Sequence, residues 1–516
     1  MVALLRLRRT ETLFRIQFTD AGAVSCYPAL EAKSATVSCL LSSVAYNYNY
    51  LPFLLIPEPH CFLLQACRID CTKMDYLWLL ISLYFPLAYS NRICHVGPLT
   101  GSDASAVNTS YTVFIGGLFP LHSRGVPSGG LQRCGNIKRR GFERAMAMVY
   151  AVESINRNED TLPRIRLAFE IHDSCDQTNT ALEESLSFVS EQCESDETVA
   201  NVTGRYVSGV VGAALSSVSV PVASLLRLFS LPQISPSSTA VSLSNKEQFD
   251  FFFRTVPPDS GQVQVMYNLV KLFNWTYVSI IYTDDLYGES GFRELQRVFE
   301  EDRICIANII PLAPKANSTA YEDAVDKLMM NYRKNATAVI LFAHGRTAYG
   351  VTQAWQRKYS LTTEDEITWI LSDGAARLII DAKRMLGVYP TSRSSEKFDA
   401  WIKQISEKNT AGSPWVGEYL DSIFGCVRYT NGTSQGNCNH ENATVGDVPK
   451  YDTSVYAPST IDAVYAFAYA LHNMTAEECN YTLCDGILET SSGKIKGDLF
   501  REYLRAVQFL ECQKMW

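Results

Sequence analysis

The fold of this chain is decided by the stretch from Gly209 to Asp259, which reads GVVGAALSSVSVPVASLLRLFSLPQISPSSTAVSLSNKEQFDFFFRTVPPD. Its opening GVVG is a short β-branched run that ends in glycine, so it predicts a strand followed by a tight turn. The next segment predicts a helix from Ser216 to Phe229, because its apolar residues recur at helical spacing: Val218, Val222, Leu225, Leu226 and Phe229. Strand, turn and helix therefore meet at Ser216.

Short hydroxyl side chains stand where two helices are predicted to begin. Ser216 opens the first, and a second start follows LPQIS, at Ser237 to Thr239. The first turn of a helix has unpaired N–H groups and the positive end of the peptide dipole, so it stabilises an anion without a cationic side chain. The pattern favours a carboxylate site, although each residue taken alone reads most simply as a helix N-cap or a turn residue.

Beyond residue 160 the sequence alternates predicted strands with amphipathic helices, the pattern of parallel α/β layers. Helices are predicted from Gln177 and from Tyr287, and Thr319 with Glu322 predicts a capping box on a third. A single sheet rarely takes so many units, so two lobes are expected. The predicted strands are IRLAFEI, GVVG, TYVSIIYT, RICIANII, AVILF and ITWIL. The third helix has one apolar face, formed by Tyr321, Val325, Leu328, Met329 and Tyr332.

Composition and motifs exclude several classes of function. The 516 residues are 47% hydrophobic and 19% charged, as in a globular protein with large cores. A net charge of −8 without a block of lysines and arginines argues against a nucleic-acid partner. No nucleophile elbow, phosphate-binding glycine loop or zinc-protease motif occurs, so we expect neither an enzyme nor a cofactor. Cys479 and Cys484 lack a second ligand pair at zinc-site spacing, so we expect no metal.

Cysteines and glycosylation motifs indicate secretion. The chain has 15 cysteines, and every Asn-x-Ser/Thr motif lies after residue 90. The segment from Met74 to Ser90 reads as a signal peptide, with an apolar stretch and a small-x-small end. A buried helix is the alternative, since no lysine or arginine follows Met74. The glycosylation motifs begin at Asn108, Asn201, Asn274, Asn317, Asn335, Asn431, Asn442, Asn473 and Asn480.

We therefore expect the mature protein to begin near Asn91. Residues 1–73 show no sustained helix or strand periodicity and are expected to lie outside it, and residues 91–110 are expected to form a linker. No stretch approaches eighteen consecutive apolar residues, so we expect no membrane anchor in the chain as given.

Six runs carry the pattern of a known family: CGNIKRRGFERAMAM (Cys134 to Met148), IHDSCDQTNTALEESLSF (Ile171 to Phe188), RTVPPD (Arg254 to Asp259), NWTYVSIIYTDDLYGESG (Asn274 to Gly291), LSDG (Leu371 to Gly374) and IDAVYAFAYALHNM (Ile461 to Met474). In this order they closely resemble the extracellular ligand-binding domain of metabotropic glutamate receptors, which are family C G-protein-coupled receptors. The resemblance covers roughly Tyr111 to Leu510, and residues 511–516 diverge from it.

The resemblance implies a bilobed α/β fold like that of periplasmic binding proteins, a clam in which each lobe is a mostly parallel sheet flanked by helices. Lobe one is expected to hold roughly residues 111–255 and 380–455, and lobe two roughly 260–375 with part of the C-terminal stretch. Ligands of open α/β sheets bind beyond the carboxyl ends of strands, so the cleft between the lobes is the expected site.

The family's α-amino-acid pocket matches Ser216, Ser237, Thr239, Asp259, Tyr287 and Asp373. Hydroxyl and backbone N–H groups at Ser216 and Thr239 suit an α-carboxylate, while Asp259 and Asp373 suit an α-ammonium. The ring of Tyr287 can cover that cation. Read alone, Asp259 is equally a helix cap and Tyr287 a core aromatic residue.

The distal end of the pocket departs from the family. Arg144 matches the family arginine that binds a distal carboxylate, and Arg140 matches an arginine found in some members where others carry tyrosine, although both also fit a solvated basic surface. Tyr456 aligns with the family's distal lysine, and AAR after LSDG lacks the tryptophan of relatives. We therefore expect an L-α-amino acid that closes the cleft, with glutamate the leading candidate.

Three disulfides are implied by the resemblance: Cys134 with Cys175, Cys426 with Cys438, and Cys479 with Cys484. Cys193 matches the family's intersubunit cysteine, so a homodimer through the first lobe is expected. Cys305 matches a cysteine that bonds to a following cysteine-rich domain, which this chain lacks, so it is expected to be unpaired unless Cys512 substitutes.

The expected function is the amino-acid-sensing domain of a receptor at the outer face of the plasma membrane, coupled to a G protein through the missing transmembrane part. As given, the chain would be secreted. Three alternatives stay open: a ligandless dimerisation subunit, a soluble decoy fragment of such a receptor, and a soluble amino-acid-binding protein.

Overall fold

The computed structural model contains two lobes, each a β-sheet covered by helices. The structure describes the chain over a set of residue ranges. These ranges are 2–7, 13–17, 93–95, 111–125, 134–158, 160–189, 206–332, 336–359, 367–376, 384–390, 395–408, 413–428, 434–436, 442–449, 451, 453–454, 456–489 and 494–507. The predicted signal peptide, Cys193, Cys438 and Cys512 lie outside them, as do Asn108, Asn201, Asn335 and Asn431.

The first lobe is built on a six-stranded sheet in the order β10-β9-β8-β4-β7-β3, parallel except for β3. Its strands are β3 (Ile93–His95), β4 (Tyr111–Phe119), β7 (Ile165–Asp173), β8 (Val207–Gly212), β9 (Gln233–Ser235) and β10 (Phe252–Arg254). The inner strands are buried, as expected when helices cover both faces of a parallel sheet. In β4, Val113 and Ile115 face one core and Phe114 and Leu118 the other, which follows from the two-residue period of a strand.

Helices cover the two faces of this sheet. One face packs against α2 (Thr178–Ser187) and α3 (Ser216–Arg227). The other packs against α1 (Arg139–Arg157), α8 (Glu396–Lys403), α9 (Pro414–Phe424), α10 (Tyr456–Cys479) and α11 (Gly497–Ala506). A 3-10 helix spans Val241–Ser244. Two-stranded sheets pair β5 (His122–Arg124) with β6 (Cys134–Ile137), and β16 (Cys426–Arg428) with β17 (Ser434–Gly436).

The second lobe is a seven-stranded sheet in the order β12-β11-β13-β14-β15-β1-β2. The first five strands run parallel, and β1 and β2 pair antiparallel at the edge. The strands are β1 (Val2–Leu7), β2 (Leu13–Gln17), β11 (Tyr277–Thr283), β12 (Cys305–Leu312), β13 (Ala338–Phe342), β14 (Thr368–Leu371) and β15 (Arg384–Tyr389). One face packs against α4 (Asp259–Leu272) and α5 (Leu286–Glu301), the other against α6 (Ser318–Tyr332) and α7 (Gly345–Tyr359).

The predicted two-lobed α/β architecture is confirmed, but the expected lobe boundaries were wrong at two places. β15 joins the second sheet, although residues from 380 onward were expected in the first lobe. The C-terminal helices α10 and α11 pack in the core of the first lobe and not the second. Both assignments depend on contacts between residues far apart in sequence, which a local pattern does not encode.

The structure contains all the predicted strands, but it differs from the sequence prediction at a helix start. Every predicted strand is present, and α2 and α5 begin within one residue of their predicted starts. The capping box at Thr319 and Glu322 was wrong, because α6 begins at Ser318 and Asn317 Oδ1 accepts a hydrogen bond from Ala320 N at 2.9 Å. β1 and β2 lie within residues 1–73, where runs of five or six residues were too short to classify by periodicity.

The described cysteines and glycosylation motifs fit an extracellular protein. The predicted disulfides Cys134–Cys175 and Cys479–Cys484 are present, and Cys426 is disulfide-bonded. Cys305 lies exposed at the start of β12. The described asparagines of the glycosylation motifs are all exposed: Asn274, Asn317, Asn442, Asn473 and Asn480. None of the described helices has the length and apolar character needed to cross a bilayer.

A buried histidine ties three elements of the first lobe together. His122 Nδ1 lies 2.5 Å from Asp173 Oδ2 at the end of β7, and Nε2 lies 2.9 Å from Glu418 Oε1 on α9. Burial alone would lower the pKa of His122, but the hydrogen bonds and charges of the two carboxylates outweigh burial and raise it to about 9. Because the pKa of His122 is higher in the folded than in the unfolded state, protonated His122 stabilises the fold. This contribution is complete below the unfolded pKa and is lost as pH rises through the folded pKa.

We predict that His122→Gln lowers the free energy of unfolding by on the order of 2 kcal/mol at about pH 6, and that this difference shrinks toward pH 9 as wild-type His122 loses its proton. Denaturant titrations of both proteins across this range measure it. His472→Gln is the matched control, because His472 Nδ1 contacts the Thr161 carbonyl oxygen and not a carboxylate. A difference that is constant with pH contradicts the prediction.

Candidate functional site

The predicted carboxylate turns of the first lobe lie side by side at the carboxyl ends of β8 and β9. Ser216 is the first residue of α3, and its hydroxyl accepts a hydrogen bond from Ala240 N at 3.2 Å. The Ser237 hydroxyl donates to Ala214 O at 2.9 Å, so it fastens the second turn to the first. Gly212 ends β8 with φ of +133°, which an L side chain rarely adopts, and so permits the tight turn into α3.

The second turn differs from the prediction, because no α-helix begins at Ser237. The chain forms the 3-10 helix Val241–Ser244 instead, and the Ser235 hydroxyl accepts from Ser238 N at 2.9 Å. Thr239 is nevertheless buried, with 2% of its surface exposed, and its Oγ1 lacks a hydrogen-bond partner among the described residues. At the start of α3, Val218 N and Ser219 N already donate to Leu215 O at 3.0 and 2.8 Å. The donors that this corner can offer to an anion are therefore the N–H groups of Ser216 and Ser217.

Two buried carboxylates from different segments meet opposite these turns. Asp259 is fully buried at the start of α4, and Asp373 follows β14 with 7% of its surface exposed. The Gln262 side chain bridges them: Nε2 donates to Asp259 Oδ1 at 2.7 Å and to Asp373 Oδ1 at 3.3 Å, while Oε1 accepts from Asp373 N at 3.2 Å. Asp259 N also donates to Thr239 O at 2.8 Å, so the acidic pair adjoins the second turn.

Burial and like charge change the titration of this pair. Burial, followed by the charge of Asp373, raises the pKa of Asp259 to about 7. The hydrogen bond from the Gln262 amide opposes that rise. Asp259 Oδ2 has no hydrogen-bond partner among the described residues. The pair therefore favours a cation, which would relieve both the desolvation and the repulsion.

Tyr287 is positioned by the start of α5. Asp285 caps the helix by accepting from Gly288 N at 3.0 Å, and a Cβ atom at Gly288 would lie 2.0 Å from Thr283 O, so only glycine lets the helix approach β11 this closely. The Tyr287 hydroxyl donates to Asp373 Oδ1 and lies 2.8 Å from Ser372 Oγ. Its ring therefore forms one wall beside the acidic pair.

Contacts between the lobes close the site at two places. The Tyr456 hydroxyl, on the first residue of the first-lobe helix α10, donates to Asp373 Oδ2 of the second lobe at 2.9 Å. On the other side, Val241 N donates to Ser290 Oγ on α5 at 3.1 Å. The lobes are thus joined through side chains that also line the predicted pocket.

The predicted distal arginines lie near Tyr456. The guanidinium carbon of Arg144 is 5.0 Å from the Tyr456 ring centre, and Arg144 has 7% of its surface exposed. Burial lowers the pKa of Arg144 to about 10, and its Nε has no hydrogen-bond partner among the described residues. Arg140 is half-buried, and its positive charge adds to the effect of burial in lowering the pKa of Arg144. The distal end therefore holds positive charge and favours an anion.

The structure brings all the predicted site residues into one region: Arg140, Arg144, Ser216, Ser237, Thr239, Asp259, Tyr287 and Asp373. Ser237 differs from the rest because its hydroxyl is already bonded to the backbone. Sequence reasoning missed Gln262 and Ser290. Gln262 lies one helical turn after Asp259, a spacing that could have identified it, whereas Ser290 is recognisable only from the packing of α5 on the 3-10 helix.

Taken together, the site holds two hydroxyl-bearing turns, an acidic pair and positive charge at its distal end. These groups suit a molecule that carries a carboxylate, an ammonium and a further anionic or polar end. Among the described residues, Thr239 Oγ1, Asp259 Oδ2 and Arg144 Nε are buried without hydrogen-bond partners.

The chain is similar in sequence to known proteins over most of its length. Residues 143–511 match a family described as "Receptor family ligand binding region". The chain is 33% identical over 428 residues to "Metabotropic glutamate receptor" of Drosophila melanogaster, covering 75% of this chain and 43% of that protein. It is 34% identical over 431 residues to "Metabotropic glutamate receptor 8" of Rattus norvegicus and of Homo sapiens, covering 79% of this chain and 46% of each relative. The chain thus spans less than half the length of these relatives.

Proposed function

Because this chain belongs to the family of receptor ligand-binding regions, of the metabotropic glutamate receptor type, we propose that it is an amino-acid-sensing domain. An L-α-amino acid binds between the lobes and stabilises the arrangement in which they are joined. Glutamate is the leading candidate. A ligand that contacts both lobes binds the closed arrangement better than an open one, so it shifts the population toward closure.

The observation that carries the proposal is the buried acidic pair across from two hydroxyl-bearing turns. The α-carboxylate lies at Ser216 and Thr239, and the α-ammonium lies between Asp259 and Asp373 under the Tyr287 ring. Charge-assisted hydrogen bonds of this kind contribute about 1.5 to 3 kcal/mol each. The Arg144 and Arg140 end accepts a distal carboxylate, which supports glutamate over amino acids with apolar side chains.

The role of the whole receptor is a further part of the proposal. The domain acts outside the plasma membrane as a homodimer joined through the first lobe, with Cys193 as the intersubunit cysteine, and signals to a G protein through parts not present in this chain. It has no catalytic role. If no amino acid binds, dimerisation is the surviving function; secreted material without glycans would instead favour a soluble amino-acid-binding protein.

The proposal is tested by calorimetry of the secreted chain against the twenty amino acids. We predict that glutamate binds, and that Thr239→Ala and Asp259→Ala abolish binding of every ligand, because these residues contact groups common to all amino acids. Ser224→Ala is the control for Thr239, since the Ser224 hydroxyl bonds to Val220 O on the exposed side of α3. Absence of heat from every amino acid would overturn the proposal.

We predict that Tyr456→Lys improves glutamate affinity by about tenfold without a similar gain for alanine, because a second cation beside Arg144 pairs with the distal carboxylate. Affinities from calorimetry measure both ligands. Tyr456→Phe is the matched control: it removes the hydrogen bond to Asp373 without adding charge. An equal gain in the lysine and phenylalanine variants would mean that loss of the tyrosine hydroxyl, and not charge, is responsible.

We predict that affinity for amino acids falls about tenfold per pH unit as pH drops below 7. The unliganded Asp259 has a pKa of about 7, so below that pH it must release a proton before it can pair with the ammonium, whereas above it affinity is flat. Calorimetry at pH 6 in two buffers of different ionisation enthalpy measures the released proton. Asp462→Asn is the control, because burial raises the pKa of Asp462 to about 6 outside the site; its pH profile should equal that of wild type.

A further inference from the structure

A second cavity lies on the first lobe outside the cleft. Its volume is about 410 Å³, and it opens between β10, the 3-10 helix and the end of α11. The described residues that line it include Lys246, Arg254 and Arg505, together with the apolar residues Ile234, Phe253 and Leu504. None of the amino-acid contacts proposed above lines it, so any ligand here occupies a separate site.

The cations of this cavity lack carboxylate partners, with one exception. Arg505 pairs with Glu502 at 2.8 Å. The ammonium of Lys246 donates to Phe252 O, and the guanidinium of Arg254 donates to Ala240 O at 3.0 Å and to the Ser244 hydroxyl. Among the described residues, Lys246 and Arg254 form no ion pair within 4 Å. The charge of Asp250 acts on Lys246 and that of Asp259 on Arg254 without forming an ion pair, so the positive charge at the cavity is only partly offset.

Burial and like charge both act on the Lys246 ammonium. Burial, followed by the charges of Arg254 and Arg505, lowers the pKa of Lys246 to about 8 against the opposing charge of Asp250. A bound anion would reverse both effects, since it supplies the opposite charge and replaces lost hydration. The apolar residues of the cavity favour contact with an apolar group. The Lys246 ammonium lies 5.4 Å from the Phe253 ring centre, and Leu504 is 5% exposed, so the cavity places an apolar surface directly beside the cations.

From these contacts we propose that the cavity binds an organic anion in which a carboxylate or phosphate group is joined to an apolar body. The anionic group pairs with Lys246, Arg254 and Arg505, and the apolar body packs on Ile234, Phe253 and Leu504. Inorganic phosphate pairs with the three cations but leaves the apolar residues without a partner. A neutral aromatic molecule packs on the apolar residues but leaves the cations unpaired.

Arg254 connects this cavity with the amino-acid site. Its guanidinium donates to the carbonyl oxygens of Ser238 and Ala240, the residues on either side of Thr239, at 3.5 and 3.0 Å. An anion that pairs with Arg254 therefore contacts the same guanidinium that hydrogen-bonds to the backbone on both sides of Thr239. The binding site itself does not depend on whether the cleft takes an amino acid.

The test uses the full secreted chain and three probes: naphthalene-1-acetate, 1-naphthyl phosphate and the neutral naphthalene-1-acetamide. We expect at least one of the two anions to bind at least tenfold more tightly than the amide by calorimetry, and the tighter anion identifies the head group. The double variant Lys246→Gln, Arg505→Gln should weaken anion binding at least tenfold and leave amide binding unchanged. Both residues are exposed along the cavity rim, so their replacement should not prevent folding.

Two controls separate this site from the amino-acid cleft and from general charge effects. Thr239→Ala should retain anion binding, because the anion does not occupy the cleft. Lys358→Gln should also retain it, since Lys358 pairs with Asp326 on the second lobe. Equal affinity for acid and amide, wild-type affinity in the double variant, or loss of anion binding in Thr239→Ala would each overturn the proposal, whatever the outcome of the amino-acid measurements.

Discussion

Two buried carboxylates are held together by one side-chain amide, and the rest of the site is arranged around that constraint. Gln262 can donate to Asp259 and Asp373 at once because α4 begins where the chain leaves the first lobe, while Asp373 follows a central strand of the second. Burying two acids together is costly unless a proton or a cation is shared. The Tyr287 and Tyr456 hydroxyls reduce that cost by donating to Asp373.

These donors come from both lobes, so Asp373 receives both hydroxyl hydrogen bonds only when the lobes are in contact. Tyr287 approaches Asp373 from within the second lobe, whereas Tyr456 reaches it from the first. Val241 and Ser290 join the lobes again beside the hydroxyl-bearing turns. The acidic pair and the interlobe contacts are consequently one connected set of interactions.

The strands could be predicted from local pattern, whereas the residues of the proposed head-group site were identified through the family resemblance. Val113 to Leu118 alternate between two cores, and GVVG leads directly into Ser216. Sequence pattern was insufficient where distant segments meet. The placement of α10 in the first lobe depends on packing against α1, and the bond from Tyr456 to Asp373 joins residues far apart in the chain. Gln262 and Ser290 were missed because neither side chain has a distinctive type or motif.

The two ends of the pocket differ in how the backbone constrains them. At Gly288 any side chain would collide with Thr283 O, and Tyr287 therefore cannot be moved without rebuilding the contact between α5 and β11. Tyr456 lies on the first residue of a helix, where many residue types fit without a change of backbone. The acidic end of the proposed site is therefore set by backbone packing, whereas its distal end can be altered by replacing a single side chain.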